Sequence, residues 1–490
     1  MTSSPAIDSR SFTLNDQREF ARLSGDFNPL HLDAQFARRT QMGAPVVHGI
    51  HTLLWALETM LRAESFDIRN IRVRFHQPLF LDEAAEVRIA GRSENAINLD
   101  VVVDRTVIAA IRLSSRPGKI EGAVAASSLL EPNKFERPSD LLFEQMSDQC
   151  GAVAAAATEQ EIRRHFPALS DAIGTAAVGG LMATSQIVGM ACPGLHSLFA
   201  GLDVTCDGAT DDAHVLGYAV RKVDARFRSV KIDVAGHGLT GRLDAFARPR
   251  PPAQADMNTV SARLAGKPFA GQRALIIGGS RGLGEVTAKI IAAGGGHPII
   301  TFRDGRQEAD RGAAEIRRAG ATCDVMQYDV LERDHASAES CDRFSNAGRI
   351  DSCYYFATAK IFQRKSALFE PDKLAVFLDY YVDGFANLCT ELTKRNSASI
   401  AIFYPSTTAL DAPAAGTAEY AMAKAAGETL VSHLNAFESN LKIISRRLPR
   451  IATDQTVTVG VASAQNALDV LLPIVHEVQQ AAPLASHERP

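Results

Sequence analysis

Apolar residues recur at helical spacing in one early stretch, Ile50, Leu53, Leu54, Leu57, Met60 and Leu61, which predicts a helix with one buried face. Strand-like runs rich in Val, Ile and Arg follow at 71–75, 85–90, 98–103 and 106–113. The same order returns downstream. A Gly/Ala/Met-rich helix candidate at 180–191 precedes strand-like runs near 197–205, 214–222, 228–237 and 240–248. Beyond residue 270 the rhythm changes. Short apolar strands at 273–277, 297–302, 351–357, 399–404 and 441–446 alternate with helical stretches at 283–293, 307–319, 372–394 and 417–437.

One helix wrapped by an antiparallel sheet, present twice, is an α+β double hot-dog plan, repeated in pattern and barely in residue identity. The alternating segment predicts an α/β doubly wound, Rossmann-like half. The expected organisation is a catalytic hot-dog domain over 1–115, a degenerate hot-dog domain over 140–250, and a third domain over 271–490. Residues 249–270 form the linker. It opens with Pro249-Arg250-Pro251-Pro252, where three prolines among small polar residues predict exposed chain. Residues 114–140, with Pro117, Gly118, Pro132 and Pro138, form a looser connection.

Composition excludes several function classes. At 490 residues the chain is too long for one core, and 46% hydrophobic with 22% charged residues is ordinary for a soluble globular protein. A net charge of -4 gives no reason to invoke nucleic acid or an anionic membrane. Seven scattered cysteines, never spaced Cys-x-x-Cys, argue for a reducing compartment and against a disulfide scaffold or structural zinc; no metal is expected. The start lacks a basic region followed by an apolar one, and no apolar run approaches the roughly 20 residues that span a bilayer. A cytoplasmic location is therefore the expectation.

The most informative string is Ser24-Gly25-Asp26-Phe27-Asn28-Pro29-Leu30-His31-Leu32-Asp33. Asn-Pro turns the backbone and sets Asp26 and His31 as two titratable groups on one short loop. Val46-Val47-His48-Gly49-Ile50 then opens the buried helix, whose first free N–H groups form an anion site. Hydrating a trans-2-enoyl thioester needs an activated water at C3, a proton at C2 and a donor for the charge on the thioester oxygen. An Asp/His pair divides the base and acid work, and a helix-start amide serves as the oxyanion donor. Residues 20–61 resemble the MaoC-like (R)-specific enoyl-CoA hydratases. That resemblance places the paired catalytic groups on Asp26 and His31 and the oxyanion amide on Gly49. His48 reads as a packing or hydrogen-bonding residue at the helix start. Cys192 and His196, four apart across Pro-Gly, read as turn chemistry rather than a nucleophile pair. By resemblance, the second hot-dog domain shapes the acyl pocket and completes the sheet.

In the third segment, strand 273–277 runs into Gly278-Gly279-Ser280-Arg281-Gly282-Leu283-Gly284 and a helix, a turn through which backbone can approach a pyrophosphate. Tyr420 and Lys424 are four apart and share a helix face. A nearby ammonium is expected to lower the tyrosine pKa for proton exchange with a carbonyl or alcohol. Residues 270–476 resemble the short-chain dehydrogenase/reductases. The resemblance implies catalytic Tyr420 and Lys424, an active-site hydroxyl on Thr407 with Ser406 beside it, and an adenine contact at Asp329. Gly278, Ser280, Arg281, Gly282 and Gly284 make the cofactor turn. Phe302 stands where an NAD enzyme carries an acid, while Arg281 and Arg303 offer charge to a 2′-phosphate, so NADP(H) is expected. The sequence departs from the family at Ile277, at Tyr355-Phe356-Ala357-Thr358, and at Tyr381, which occupies the place of a relay Asn. Residues 453–476 leave little room for a lid, and no final strand is evident.

The chain thus reads as a bifunctional enzyme. It joins an enoyl hydratase/3-hydroxyacyl dehydratase to an NADP-type 3-oxoacyl reductase, acting on acyl-CoA or acyl carrier protein thioesters in biosynthesis. A homodimer is expected by analogy. The competing readings are a hot-dog thioesterase and an acyl-carrier-binding scaffold with a vestigial reductase domain.

Overall fold

The computed structural model of the chain describes residues 5–118, 131–206, 215–332, 344, 347–361, 364, 368–395, 398–414, 416–454, 456 and 464–482. They divide between two compact units, one running to Arg250 and one from Pro251 onward.

The first unit holds β1 (Ala6–Ser11), β2 (Asn70–Phe75), β3 (Ala84–Ser93), β4 (Ala96–Val103), β5 (Thr106–Ser114), β6 (Cys150–Ala154), β7 (Ser197–Cys206), β8 (Val215–Asp224), β9 (Ser229–Gly236) and β10 (Leu239–Ala247). They make one antiparallel sheet in the order β1-β3-β4-β5-β2-β7-β10-β9-β8-β6. The seam between the two hot-dog halves is β2 against β7. There Ile71 faces Val204 and Val73 faces Leu202, all four buried, so one core runs through both halves. The edge strands β1 and β6 escape the sequence pattern. In β1, Ala-Ile-Asp-Ser-Arg-Ser has too few apolar positions to show a period.

Each half wraps a helix, Gly49–Ala63 in the first and Thr175–Gln186 in the second; the latter runs on as one π turn, Ile187–Ala191. The spacing predicts one buried face for the first, but every residue from Ile50 to Glu58 is buried. Helices of the other half cover the side that the sheet leaves open. Glu58 ties them together: its carboxylate accepts the Ala168 and Leu169 amides at 3.2 and 2.9 Å, where the helix Pro167–Ile173 begins. A further helix, Leu14–Ser24, starts at a Thr13/Asp16 capping box.

Behind this helix start, His51 stacks on Phe20 with ring centroids 4.6 Å apart, and burial drives its pKa down from 6.5 to about 3. In this pH range the unfolded chain takes up a proton that the folded one refuses. From this residue alone, stability should fall by about 1.4 kcal/mol per pH unit as pH drops below the ordinary histidine value. Urea midpoints of wild type and His51→Leu, taken at about pH 7 and about pH 5, check this. The variant should show the shallower acid loss, and equal slopes would contradict it.

The second unit holds β11 (Arg273–Ile277), β12 (His297–Phe302), β13 (Asp324–Gln327), β14 (Ser352–Tyr355), β15 (Ile400–Thr407) and β16 (Leu441–Leu448), all parallel in the order β13-β12-β11-β14-β15-β16. Successive β11 residues alternate between two cores, Ala274 and Ile276 on one face, Leu275 and Ile277 on the other. Helices Gly282–Ala293 and Ala467–Ala481 cover the first face; Gly384–Arg395 and Ala418–Phe437 cover the second. Strand order reverses between β11 and β14, the place where such sheets bind ligands. The predicted helix 372–394 is two helices, Pro371–Leu378 and Gly384–Arg395, joined by a π turn at Asp379–Asp383. Among the described residues no strand follows β16; the next element is the helix Ala467–Ala481. Among the same residues no single helix is long and apolar enough to cross a membrane.

Candidate active sites

Gly25 ends the helix Leu14–Ser24, and the next residues turn sharply: Asn28 caps the short helix Pro29–Leu32 by accepting the Leu30 amide at 3.0 Å. Asp26 and His31 flank this turn. Asp26 is 2% exposed, with Oδ1 accepting the Asn28 amide at 3.1 Å and Oδ2 accepting the Ser185 hydroxyl at 2.7 Å. His31 Nδ1 donates to the Val46 carbonyl at 2.8 Å, since a carbonyl can only accept; this fixes the tautomer and leaves the lone pair on Nε2. One polar atom each of Asp26, His31 and His48 lie within 4.8 Å of one another.

Burial pushes the Asp26 pKa up, against the lowering influence of His31, Ser185 and the Asn28 amide. Burial pushes the His31 pKa down, opposed by Asp26 and the Val46 carbonyl and helped by the Arg248 charge. The two values move toward each other. Burial thus disfavours the charged form of each, and a carboxyl and an imidazole side by side out of water can divide the base and acid work.

His48 is fully buried, stacks on His31 at 3.7 Å, and faces carbonyl oxygens with both ring nitrogens: Gln17 Oε1 at 2.9 Å and the Asp26 main chain at 3.1 Å. Gly49 is the first residue of its helix, where no upstream carbonyl lies in helical register for its amide. A Cβ there would sit 3.0 Å from the Phe75 ring. Cys192 is buried and its thiol is pushed up to about 12, while His196 faces Asp140 at 3.4 Å, so this pair supplies no thiolate nucleophile.

The sequence reading missed what the second half brings. Ser185 holds Asp26, and Gly189 lies so close that a Cβ would meet Oδ1 at 2.2 Å. Gln186 packs on Gly25, where a Cβ would meet its Nε2 at 2.8 Å. The available signal was chemical: Ser185 and Gln186 are polar groups late in a helix otherwise built of small and apolar residues. Ser185→Ala should lower the enoyl hydration rate about tenfold by removing one hydrogen bond to a charged partner. A steady-state assay checks this, and an unchanged kcat would show that the bond is idle.

In the second unit, Gly278 follows β11 with its amide on Thr301 Oγ1 at 3.1 Å, and Ser280 is buried beside it. Gly282 opens the helix, and a Cβ at Gly284 would lie 2.4 Å from the Gly278 carbonyl, so the turn closes only with glycine there. Arg281 faces Asp454 at 3.6 Å, and Arg303 binds Asp304 at 2.6 Å and the Tyr380 hydroxyl. Asp329 accepts the Leu331 amide at 3.0 Å. Tyr420 hydrogen-bonds Thr407, whereas Ser406 turns to Glu428. The expected lowering of the Tyr420 pKa does not hold. Burial raises it, partly offset by Thr407, because the Lys424 ammonium is directed at the Pro405 carbonyl, 2.6 Å away.

Comparison with known proteins covers both units. Residues 3–110 match the family described as MaoC like domain, and residues 272–449 match short chain dehydrogenase. The (R)-specific enoyl-CoA hydratase of Aeromonas caviae is 50% identical over 94 residues, covering 18% of this chain and 69% of that protein. The peroxisomal hydratase-dehydrogenase-epimerase of Saccharomyces cerevisiae is 28% identical over 120 residues, 24% of this chain; the chain spans 13% of that protein's length. Among solved structures, a short-chain dehydrogenase/reductase from Serratia marcescens BCRC 10948 superposes with a TM-score of 0.36 at 20% identity, covering 44% of this chain and 92% of that one.

Proposed function

The chain belongs to the MaoC-like (R)-specific enoyl-CoA hydratase family through its first unit and carries a short-chain dehydrogenase domain in its second, and from that membership we propose that it is a bifunctional acyl-thioester enzyme. In the first unit a trans-2-enoyl thioester gains hydroxyl at C3 and hydrogen at C2, giving the (3R)-hydroxyacyl form. Asp26 and His31 hold the water and share proton removal and delivery, and the Gly49 amide receives the thioester oxygen as it becomes negative. The observation that carries this reading is the buried Asp26 carboxyl beside a His31 whose Nε2 holds its lone pair.

The second unit's proposed task is to interconvert 3-oxoacyl and (3R)-hydroxyacyl thioesters, with Tyr420 as the proton donor and Thr407 polarising the oxygen. The glycine turn from Gly278 to Gly284 fits a dinucleotide pyrophosphate, since it packs tightly on its own backbone, with a Gly284 Cβ only 2.4 Å from the Gly278 carbonyl, and leads into a helix N-terminus. Phe302 ends β12 without an acid, and Arg281 and Arg303 offer charge to a 2′-phosphate, which favours NADP(H). That cofactor, when bound, supplies the hydride at C3. NADP(H) use implies the reductive, biosynthetic direction. The carrier is CoA or acyl carrier protein, and a cytoplasmic homodimer is the proposed working form.

Purified protein is given trans-2-enoyl-CoA while the conjugated-enoyl absorbance is followed, and 3-oxoacyl-CoA with NADPH while NADPH absorbance is followed. Loss of both signals is expected. Free thiol released with the enoyl absorbance intact would make it a thioesterase, and binding without turnover of CoA or carrier-protein thioesters would make it a scaffold.

A further inference from the structure

Lys424 occupies an aromatic seat. Its Nζ lies 3.9 Å from the Tyr381 ring centroid and 5.0 Å from that of Tyr404, and the residue is 5% exposed. Both rings are fixed from behind. Tyr404 Oη donates to the Tyr381 carbonyl at 3.0 Å, and Tyr381 Oη meets Thr358 Oγ1. Tyr380 and Tyr381 lie in the π turn Asp379–Asp383, and both their carbonyls accept tyrosine hydroxyls, from Tyr355 and Tyr404. Gly427, one turn beyond Lys424, leaves the space: a Cβ there would fall 1.8 Å from Tyr404 Oη and 3.2 Å from the Tyr381 carbonyl.

In the short-chain dehydrogenase pattern the Tyr381 position belongs to a relay asparagine. Here an aromatic face meets the ammonium instead, and the neighbouring main-chain carbonyl is already taken by Tyr404. A cation over a ring face is attracted by the ring quadrupole, most strongly where water is excluded. We infer that Tyr381 and Tyr404 are positioning residues that seat the Lys424 ammonium on their ring faces. The inference rests on the reductase reading of this unit.

The charge balance supports the arrangement. Burial pulls the Lys424 pKa down to about 7, so its charge is in play near neutrality. The titratable groups around it are Tyr420 and Glu428 on its own helix, Tyr381 from the π turn and Tyr404 from β15. Glu428 is tied to Ser406 and to Arg447 of β16. The ammonium therefore rests on the rings, and the acid that favours its charge, Glu428, is itself shared with Ser406 and Arg447.

The test is the Lys424 titration in full-length protein without nucleotide, followed by ¹³Cε NMR of labelled lysine and assigned with Lys424→Met. Tyr381→Leu and Tyr404→Leu should each lower the midpoint by about one pH unit, whereas Tyr404→Phe, which keeps the ring, should barely move it. Fluorinated phenylalanines at 404 weaken the ring face while keeping its shape, so the midpoint should fall with each added fluorine even if the leucine variants fail to fold. An unmoved midpoint across that series, or a rise in the leucine variants, would overturn the seat. Failure of the reductase reading shows separately, as absent NADPH oxidation by the wild type, and leaves the titration interpretable.

Discussion

Asp26→Asn should lower the hydration of trans-2-enoyl-CoA by about a thousandfold while the protein stays folded. Asparagine keeps the shape of the carboxylate: its oxygen can still accept the Asn28 amide while its NH2 group donates to the Ser185 hydroxyl oxygen, so the turn loses little. What it loses is the capacity to take and return a proton beside His31. The pH profile of the wild type gives a second check on the same pair. His31 must be neutral for Nε2 to act as a base, and its pKa lies below the ordinary 6.5, so activity should persist into mildly acidic solution before it falls. A hydratase rate in Asp26→Asn within tenfold of wild type would remove Asp26 from the mechanism.

Gly189→Ala should cost about a hundredfold in kcat without replacing any group that performs chemistry. Its Cβ would stand 2.2 Å from Asp26 Oδ1 and 2.5 Å from Oδ2, far inside contact distance. The carboxylate must then leave the position that Ser185 and Asn28 assign it, and a displacement of about 1 Å in a reacting group is enough for a loss of that size. The variant also carries an overpacking cost of about 1–3 kcal/mol, so urea unfolding belongs beside the kinetics. Wild-type turnover in Gly189→Ala would show that the site tolerates a moved carboxylate.

How much of this was legible from the chain follows from the range of the interactions. Asp26, Asn28, His31 and Gly49 lie within one contiguous stretch, and the turn chemistry that assembles them is local. The alternating segment gave its parallel strands and glycine turn for the same reason, as each unit of the pattern is short. Ser185 reaches Asp26 across 159 residues, and no spacing rule reports such a pairing. The polar edge strand β1, the short small-residue edge strand β6 and the short β13 had no apolar period to show. The Tyr420 pKa went the other way because helical spacing placed Lys424 on the right face but said nothing of the burial of Tyr420 or of the Pro405 carbonyl, which accepts the Lys424 hydrogen bond. Arg281 and Arg303 were read as charges for a 2′-phosphate, and no spacing rule reported Asp454 and Asp304, the carboxylates that each also faces.

The β2–β7 seam and the Ser185 bond give the two halves of the first unit unequal freedom under mutation. The second half carries no Asp-x-Asn-Pro-x-His string of its own, so its corresponding loop can drift. Its helix cannot, because Ser185 and Gly189 answer to a carboxylate encoded in the other half. A library selected for hydration should therefore show an island of intolerance at 185–189 inside an otherwise permissive domain. On the proposed reading, the second half serves as a supporting part whose helix is held to the geometry of the Asp26 carboxylate.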